Sequence, residues 1–278
     1  MIMESGKLLK IVFWGEDAFS CIILRSLAEA GHQIGLVVTP YYDNLIYKRL
    51  EGVCKMLQVP LLRAKKINSD VVYEAVKQVQ PDLCVISHFE RLIKEPILSV
   101  PRMGFINLHP SLLPNYRGMA PQHWPIINGD KEAGITVHYV DEGTDTGDII
   151  VQRRFPLTDD MYVSDLQKVW MEHYKTIMVE AIDNIVCNRP VTVQRHLKGT
   201  YYGKLKEEQC KINPEGSVRQ AYNLVRGVSL PYFGAHYGDM IVYRAHIAKE
   251  GEETIDNEKP VLTFSNGKLI IEQYKSIK

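Results

Sequence analysis

The chain has 278 residues, 45% hydrophobic and 24% charged, a globular composition that excludes wholesale disorder. That length predicts two domains and enough chain to bury a substantial core. Lys+Arg and Asp+Glu both number 33, so no global field draws the protein to nucleic acid or to an anionic membrane. The five cysteines (Cys21, Cys54, Cys84, Cys187 and Cys210) are odd in number and form no C-x-x-C pair. They read as free or buried thiols of a reducing compartment. The first residues hold no signal-peptide core and no apolar run approaches ~18 residues, so a cytoplasmic protein is expected.

In chain order, residues 8–13 form a short β-branched apolar run stopped at Gly15. Residues 17–30 then place Phe19, Ile22, Ile23 and Leu27 at helical spacing, with Gly31 suited to the C-terminal cap. Strand patterns recur at 34–39, 83–87, 105–108, 135–140 and 149–155, and helical patterns at 47–57, 70–79 and 163–186. Short apolar strands alternating with helices predict an α/β fold with a mostly parallel sheet covered on both faces. Beyond residue 200 turn signals punctuate short strands, among them a hairpin at Asn266-Gly267, and predict a small C-terminal β-rich domain over 201–278. Residues 251–259 read as a solvated turn.

The informative stretch is 104–147. Asn107 and His109 lie two apart at a predicted strand end and therefore share one face. Carboxyl ends of strands are where open α/β sheets bind ligands. The following P-S-L-L-P cannot continue a central strand, so the chain turns just beyond His109. Asp145 follows 36 residues later in a loop bounded by Gly143 and Gly147, and adjacent parallel strands would bring the two loops together. An amide donor, an imidazole and a carboxylate at one sheet edge suit acyl transfer, with donors for an oxyanion and an acceptor for a proton. Neither G-x-S-x-G nor H-E-x-x-H occurs, so the nucleophile belongs to a substrate. Taken singly, each residue has a plainer reading: Asn107 as a turn residue, His109 as a structural histidine, Asp145 as a loop cap. His109, His138, Asp141 and Asp145 form an alternative metal set, but without compact ligand spacing.

The runs N-L-H-P-S-L-L-P-x-Y-R-G-x-x-P, G-I-T-V-H and D-E-G-x-D-T-G-D-I resemble the folate-dependent formyltransferases. The likeness extends more weakly from Ile11 to about Arg189. It implies a Rossmann-like catalytic domain over 1–200, N10-formyltetrahydrofolate as formyl donor and an amine acceptor. By the same resemblance Asn107, His109 and Asp145 are catalytic. Phe89, Arg91, Leu92, Ile93, Asp141, Glu142 and Thr144 belong to two loops that form the pterin pocket, and the Leu113–Pro114 bond is cis.

Within the family, the loop after the first strand has one Gly and two adjacent acids, Glu16 and Asp17, which is poor for a monophosphate and disfavours the purine branch. The tRNA branch carries a longer C-terminal barrel, and from Pro190 onward Lys+Arg exceeds Asp+Glu only by 13 to 10. Segments around Lys211-Ile212-Asn213, 222–227 and 231–235 resemble the aminosugar enzymes. The expected acceptor is therefore the amine of a nucleotide-linked aminosugar, with no nucleic-acid or membrane partner and a homodimer compatible with the chain. Methionyl-tRNA formyltransferase is the alternative, and formyltetrahydrofolate hydrolysis a more distant one.

Overall fold

The computed structural model describes residues 7–42, 48–250 and 259–277. Most of the turn expected at 251–259, and the first residue of the helix expected at 47–57, lie outside them. In chain order come β1 (Lys10–Gly15), α1 (Ala18–Glu29), β2 (Gln33–Pro40), α2 (Lys48–Leu57), β3 (Leu61–Ala64), α3 (Asp70–Val79), β4 (Leu83–Ser87) and β5 (Phe105–His109). Next are β6 (Arg117–Gly118), α4 (Trp124–Asn128), β7 (Glu132–Tyr139), β8 (Ile149–Pro156) and α5 (Val163–Val186). The chain ends with β9 (Tyr201–Tyr202), α6 (Val218–Val228), β10 (Ala235–Tyr237), β11 (Met240–Ile247), β12 (Val261–Phe264) and β13 (Gly267–Ser276).

Two compact units result. The first comprises Met1–Arg117, Ile135–Arg153 and Trp170–Thr200, and the second Gly118–Gly134, Arg154–Val169 and Tyr201–Lys278. The second unit thus takes two segments from the first 200 residues, which a single cut at residue 200 does not capture.

The first unit is built on a seven-stranded sheet of order β3-β2-β1-β4-β5-β7-β8. Pairs β2–β3, β1–β2, β1–β4 and β4–β5 are parallel. Strand β5 pairs antiparallel with β7, which corrects the expectation of adjacent parallel strands there. The sheet is mostly parallel and buried on both faces, as near-continuous apolar strands require. Val12 and Trp14 of β1 join a cluster with Val72 and Val76 of α3, while Ile11 and Phe13 on the opposite face are equally buried. Helix α1 starts where Asp17 accepts from Ser20 N at 2.9 Å and Ser20 Oγ accepts from Asp17 N, a reciprocal cap. Strand order reverses between β1 and β4, so their carboxyl ends open a crevice for ligand.

The second unit holds a four-stranded antiparallel sheet, β10-β11-β13-β12. Phe264 pairs with Gly267 across the hairpin predicted at Asn266-Gly267. Helix α6 was not expected, although Ser217 and Gln220 form a capping box at its start and were legible as one. Among the described residues no helix is long and apolar enough to cross a membrane.

Candidate active site

At the strand crevice, Glu16 follows β1 and accepts from Glu90 N and from Tyr42 Oη, each at 2.6 Å. Ser20 Oγ donates to Ser87 O at 2.8 Å, so the loops after β1 and β4 are tied together. Burial raises the Glu16 pKa against the lowering effect of its Tyr42 bond. His88 follows β4 with φ +50, and its ring stacks on Phe19 at 5.0 Å. Its Nδ1 lies 3.4 Å from Asp17 Oδ2 and its Nε2 lies 3.0 Å from Tyr174 Oη.

One strand further, Asn107 and His109 lie on the same face of β5, as their spacing predicts. The antiparallel register sets His138 opposite Asn107 and Thr136 opposite His109. Beyond His109 the chain turns through the cis Leu113–Pro114 bond. That turn hangs on Thr136, whose Oγ1 donates to Ser111 O at 2.7 Å and accepts from Leu113 N at 3.3 Å. Gln152 Nε2 adds bonds to Leu113 O and Thr136 Oγ1.

Asp145 reaches Asn107 and His109 because the loop after β7 folds back rather than by parallel adjacency. Tyr139 N donates to Asp148 O at 3.0 Å. A Cβ on Gly147 would come within 1.8 Å of Tyr139 O, so this close return needs glycine. Asp145 takes φ +53, in the left-handed region. Its carbonyl accepts from Arg117 Nε at 3.1 Å and Gln194 Nε2 at 3.4 Å, and Gln194 Oε1 accepts from Arg117 Nη2 at 3.0 Å. Gln194 Nε2 also donates to Gly147 O. The backbone beneath the carboxylate is thus held from two sides.

The carboxylate lies close to Asn107, His138 and His109. Asn107 Nδ2 lies 3.4 Å from Oδ1, His138 Nε2 3.5 Å from Oδ1, and His109 Nδ1 3.5 Å from Oδ2. Tyr116 O, which only accepts, lies 2.8 Å from His109 Nε2, so that nitrogen carries a proton. The same logic puts a proton on His138 Nδ1, 2.7 Å from Tyr139 O. His138 Nε2 then accepts from Asn107 Nδ2 at 3.3 Å, which fixes the amide's orientation. His109 is 4% exposed, and burial holds its pKa below the ordinary histidine value against the raising charge of Asp145. These polar contacts are long, so the donors are not saturated by one another.

The expected pterin-loop residues are placed differently from one another. Phe89 packs edge-on against Trp14 at 5.7 Å, and Ile93 is buried in the same apolar cluster. Arg91 and Leu92 are exposed, with the Arg91 guanidinium 5.8 Å over the Tyr42 ring. Glu142 and Thr144 are exposed, whereas the Asp141 carboxylate accepts from Gly143 N at 3.0 Å and Thr146 Oγ1 at 2.7 Å and so closes its own loop. No group of three or more His, Cys, Asp or Glu among the described residues is arranged to hold a metal ion. Sequence reasoning missed Arg117, Gln194 and the part His138 plays. The H at the end of G-I-T-V-H was the signal for the last, and Gln194 had none.

Residues 11–182 match the formyl transferase family model. The chain belongs to that family. It is 33% identical over 235 residues to a methionyl-tRNA formyltransferase of Thermodesulfovibrio yellowstonii, covering 81% of this chain and 74% of that one. The fold resembles WlaRD, a sugar 3N-formyl transferase, with TM-score 0.70 and 20% identity over 97% of this chain and 98% of that one. It also resembles an N-formyltransferase of Helicobacter canadensis, solved with folinic acid and dTDP-3-aminofucose, with TM-score 0.72 and 19% identity over 96% and 100% of the two chains. The motif resemblance and the α/β fold with its second, antiparallel sheet are thereby borne out, and the protein is a formyltransferase.

Proposed function

We propose that this formyltransferase moves the formyl group of N10-formyltetrahydrofolate to the primary amine of a nucleotide-activated aminosugar. The convergence of Asn107, His109 and Asp145 at one end of β5 supports the chemistry. A neutral amine attacks the formyl carbon. Asn107 Nδ2 donates to the oxygen as it becomes an oxyanion, and His109 Nδ1 joins it as a donor once the His109–Asp145 pair has taken up the amine's proton. Asp145 accepts the proton of the nascent ammonium, the tetrahedral intermediate collapses, and N10 of the folate leaves with a proton. The loops at 89–93 and 141–145 flank the pterin. Because Phe89 and Ile93 pack into the apolar cluster and the exposed Asp141 carboxylate is spent on Gly143 N and Thr146 Oγ1 of its own loop, these loops present backbone groups, with Leu92 as apolar cover and Arg91, Glu142 and Thr144 at the rim. Within the 1–200 stretch read as the catalytic domain, Asn107, His109 and Asp145 all belong to the first unit, and Gly118–Gly134 and Arg154–Val169 join the smaller domain of 201–278.

The whole-length fold match to sugar N-formyltransferases, through the C-terminal sheet, favours the sugar acceptor. Identity to methionyl-tRNA formyltransferases favours a second reading, in which the acceptor is the amino group of methionyl-tRNA. Incubation with N10-formyltetrahydrofolate alone, then with aminosugar nucleotides, then with initiator methionyl-tRNA separates these readings. Formate release without an acceptor would instead mark a hydrolase.

A further inference from the structure

Within the second unit the end of α4, Asp159 and the first turns of α6 line a cavity of about 670 Å³. Asn223 lines it and is only 5% exposed. Arg226, 2% exposed, donates from Nη2 to Asn223 Oδ1 at 2.7 Å. A guanidinium has only donors, so this bond fixes the amide: oxygen toward Arg226, Nδ2 turned away. Nδ2 makes no hydrogen bond to a described residue, and lies 2.8 Å from where a Cβ on Gly129 would stand. Gly129 also takes φ +73, so a side chain there is disfavoured twice. This donor faces the cavity without a bond to a described residue, so an acceptor bound there would take the place of water on it.

Charge around the opening completes the pattern. Lys131 Nζ at 2.9 Å and Arg219 Nη1 at 3.7 Å share the Asp159 carboxylate. Arg226 Nη1 donates to Thr158 O at 3.2 Å and Met161 O at 3.0 Å, which holds the loop carrying Asp159. Three cations therefore surround one carboxylate. Arg219 and Gln220 belong to the first turn of the 11-residue α6, whose dipole adds partial positive charge. Among the described residues no aromatic side chain lines the cavity, so charge and hydrogen bonds rather than base stacking would select the ligand.

We propose that this cavity binds a diphosphate anion, held by Asn223 Nδ2, Lys131 and Arg219, with Asp159 as the internal ion it displaces. The site is independent of the formyl-transfer reading, since Asn107, His109 and Asp145 belong to the first unit. Titration calorimetry of the full chain with sodium pyrophosphate, and with a nucleoside diphosphate, at fixed ionic strength tests it. Wild type should bind saturably. The exposed double variant K131A/R219A and the near-isosteric Asn223→Asp should each weaken binding at least tenfold, and Asp159→Asn should tighten it several-fold. Equal affinity for both probes identifies the bare anion as ligand and tighter nucleotide binding an esterified source; either supports the proposal. Asn107→Ala should bind as wild type does. Absent saturation in wild type and Asp159→Asn overturns it, as does unchanged affinity in K131A/R219A, weaker binding in Asp159→Asn, or loss in Asn107→Ala. If Asn223→Asp fails to fold by circular dichroism, the exposed double variant carries the test.

Discussion

Both ring nitrogens of His109 face oxygen, but only the proton at Nε2 is fixed by its partner. Nε2 keeps its proton for Tyr116 O, so neutral His109 turns a lone pair toward Asp145 and protonated His109 turns a donor there. Burial lowers the imidazole pKa, which leaves the imidazole neutral at neutral pH and, in the mechanism proposed above, leaves the pair ready to take the amine's proton. Protonating the pair removes that acceptor, so kcat should fall on the acid side. Because the histidine's pKa lies below its usual 6.5, the acid limb of kcat should have its midpoint below that value. A midpoint above pH 6.5 contradicts the assignment. Asn107→Ala, His109→Ala and Asp145→Ala should each lower kcat by ~10²–10³ with the circular-dichroism spectrum unchanged. His138 acts one step away, by holding the Asn107 amide. His138→Phe should therefore lower kcat about tenfold while leaving folate binding near wild type, whereas equal losses in both would place His138 in folate binding.

At the scale of elements, the return of the β7–β8 loop puts the carboxylate in place. Gly147→Ala drives a methyl into Tyr139 O, and relief requires moving Asp145, two residues away. The variant should lose about 1–3 kcal/mol of stability and at least tenfold in turnover, read by thermal melting and initial rates. In the second unit His123 donates from Nδ1 to Gly227 O at 2.7 Å, and burial pushes its pKa down to about 4 despite that bond. The folded state therefore binds fewer protons than the unfolded one between pH 6.5 and about 4. Stability is complete above the unfolded value and drains as pH falls through this window, by on the order of 3 kcal/mol if the fold holds His123 neutral. His123→Gln, compared with wild type in urea melts at pH 7 and pH 4.5, should flatten this pH dependence; an unchanged slope would assign the loss to other groups.

Much of this organisation is legible in the chain. Helices α3 and α5 and strand β4 begin and end where periodicity and turn residues place them, because apolar faces and flanking breakers act locally. Asn107 and His109 announce themselves through strand alternation and the P-S-L-L-P stop. The direction of β7 does not, since a lone strand pattern carries no sign of whether its neighbour runs with it or against it. Gln194 is invisible for a related reason: its bonds to Gly147 O and Arg117 join residues 47 and 77 positions apart, and nothing near Gln194 in sequence marks them. Helix α6 is the opposite case: its Ser217–Gln220 capping box is a local signal, set among turn residues that give the region a strand-rich pattern.

For the whole molecule, the acceptor decides how rate responds to salt. An enzyme that neutralises 6–10 tRNA phosphates loses about 10³–10⁵ in affinity between 50 and 200 mM salt, because each contact releases condensed counterions. This chain is neutral overall and carries 13 basic against 10 acidic residues from Pro190 onward, a poor basis for such a footprint. A sugar nucleotide offers a diphosphate with no counterion atmosphere to release, so its KM should change by less than about tenfold over that range. We therefore expect saturable formylation of a 3-amino or 4-amino dideoxysugar nucleotide with a shallow salt dependence, and negligible transfer to initiator methionyl-tRNA. The two acceptors should be assayed at the same N10-formyltetrahydrofolate concentration, so that donor binding cancels. Efficient transfer to methionyl-tRNA with a steep salt slope would move the protein to the tRNA branch. The roles of Asn107, His109 and Asp145 would survive that outcome, because both branches require an amine to attack the same formyl carbon.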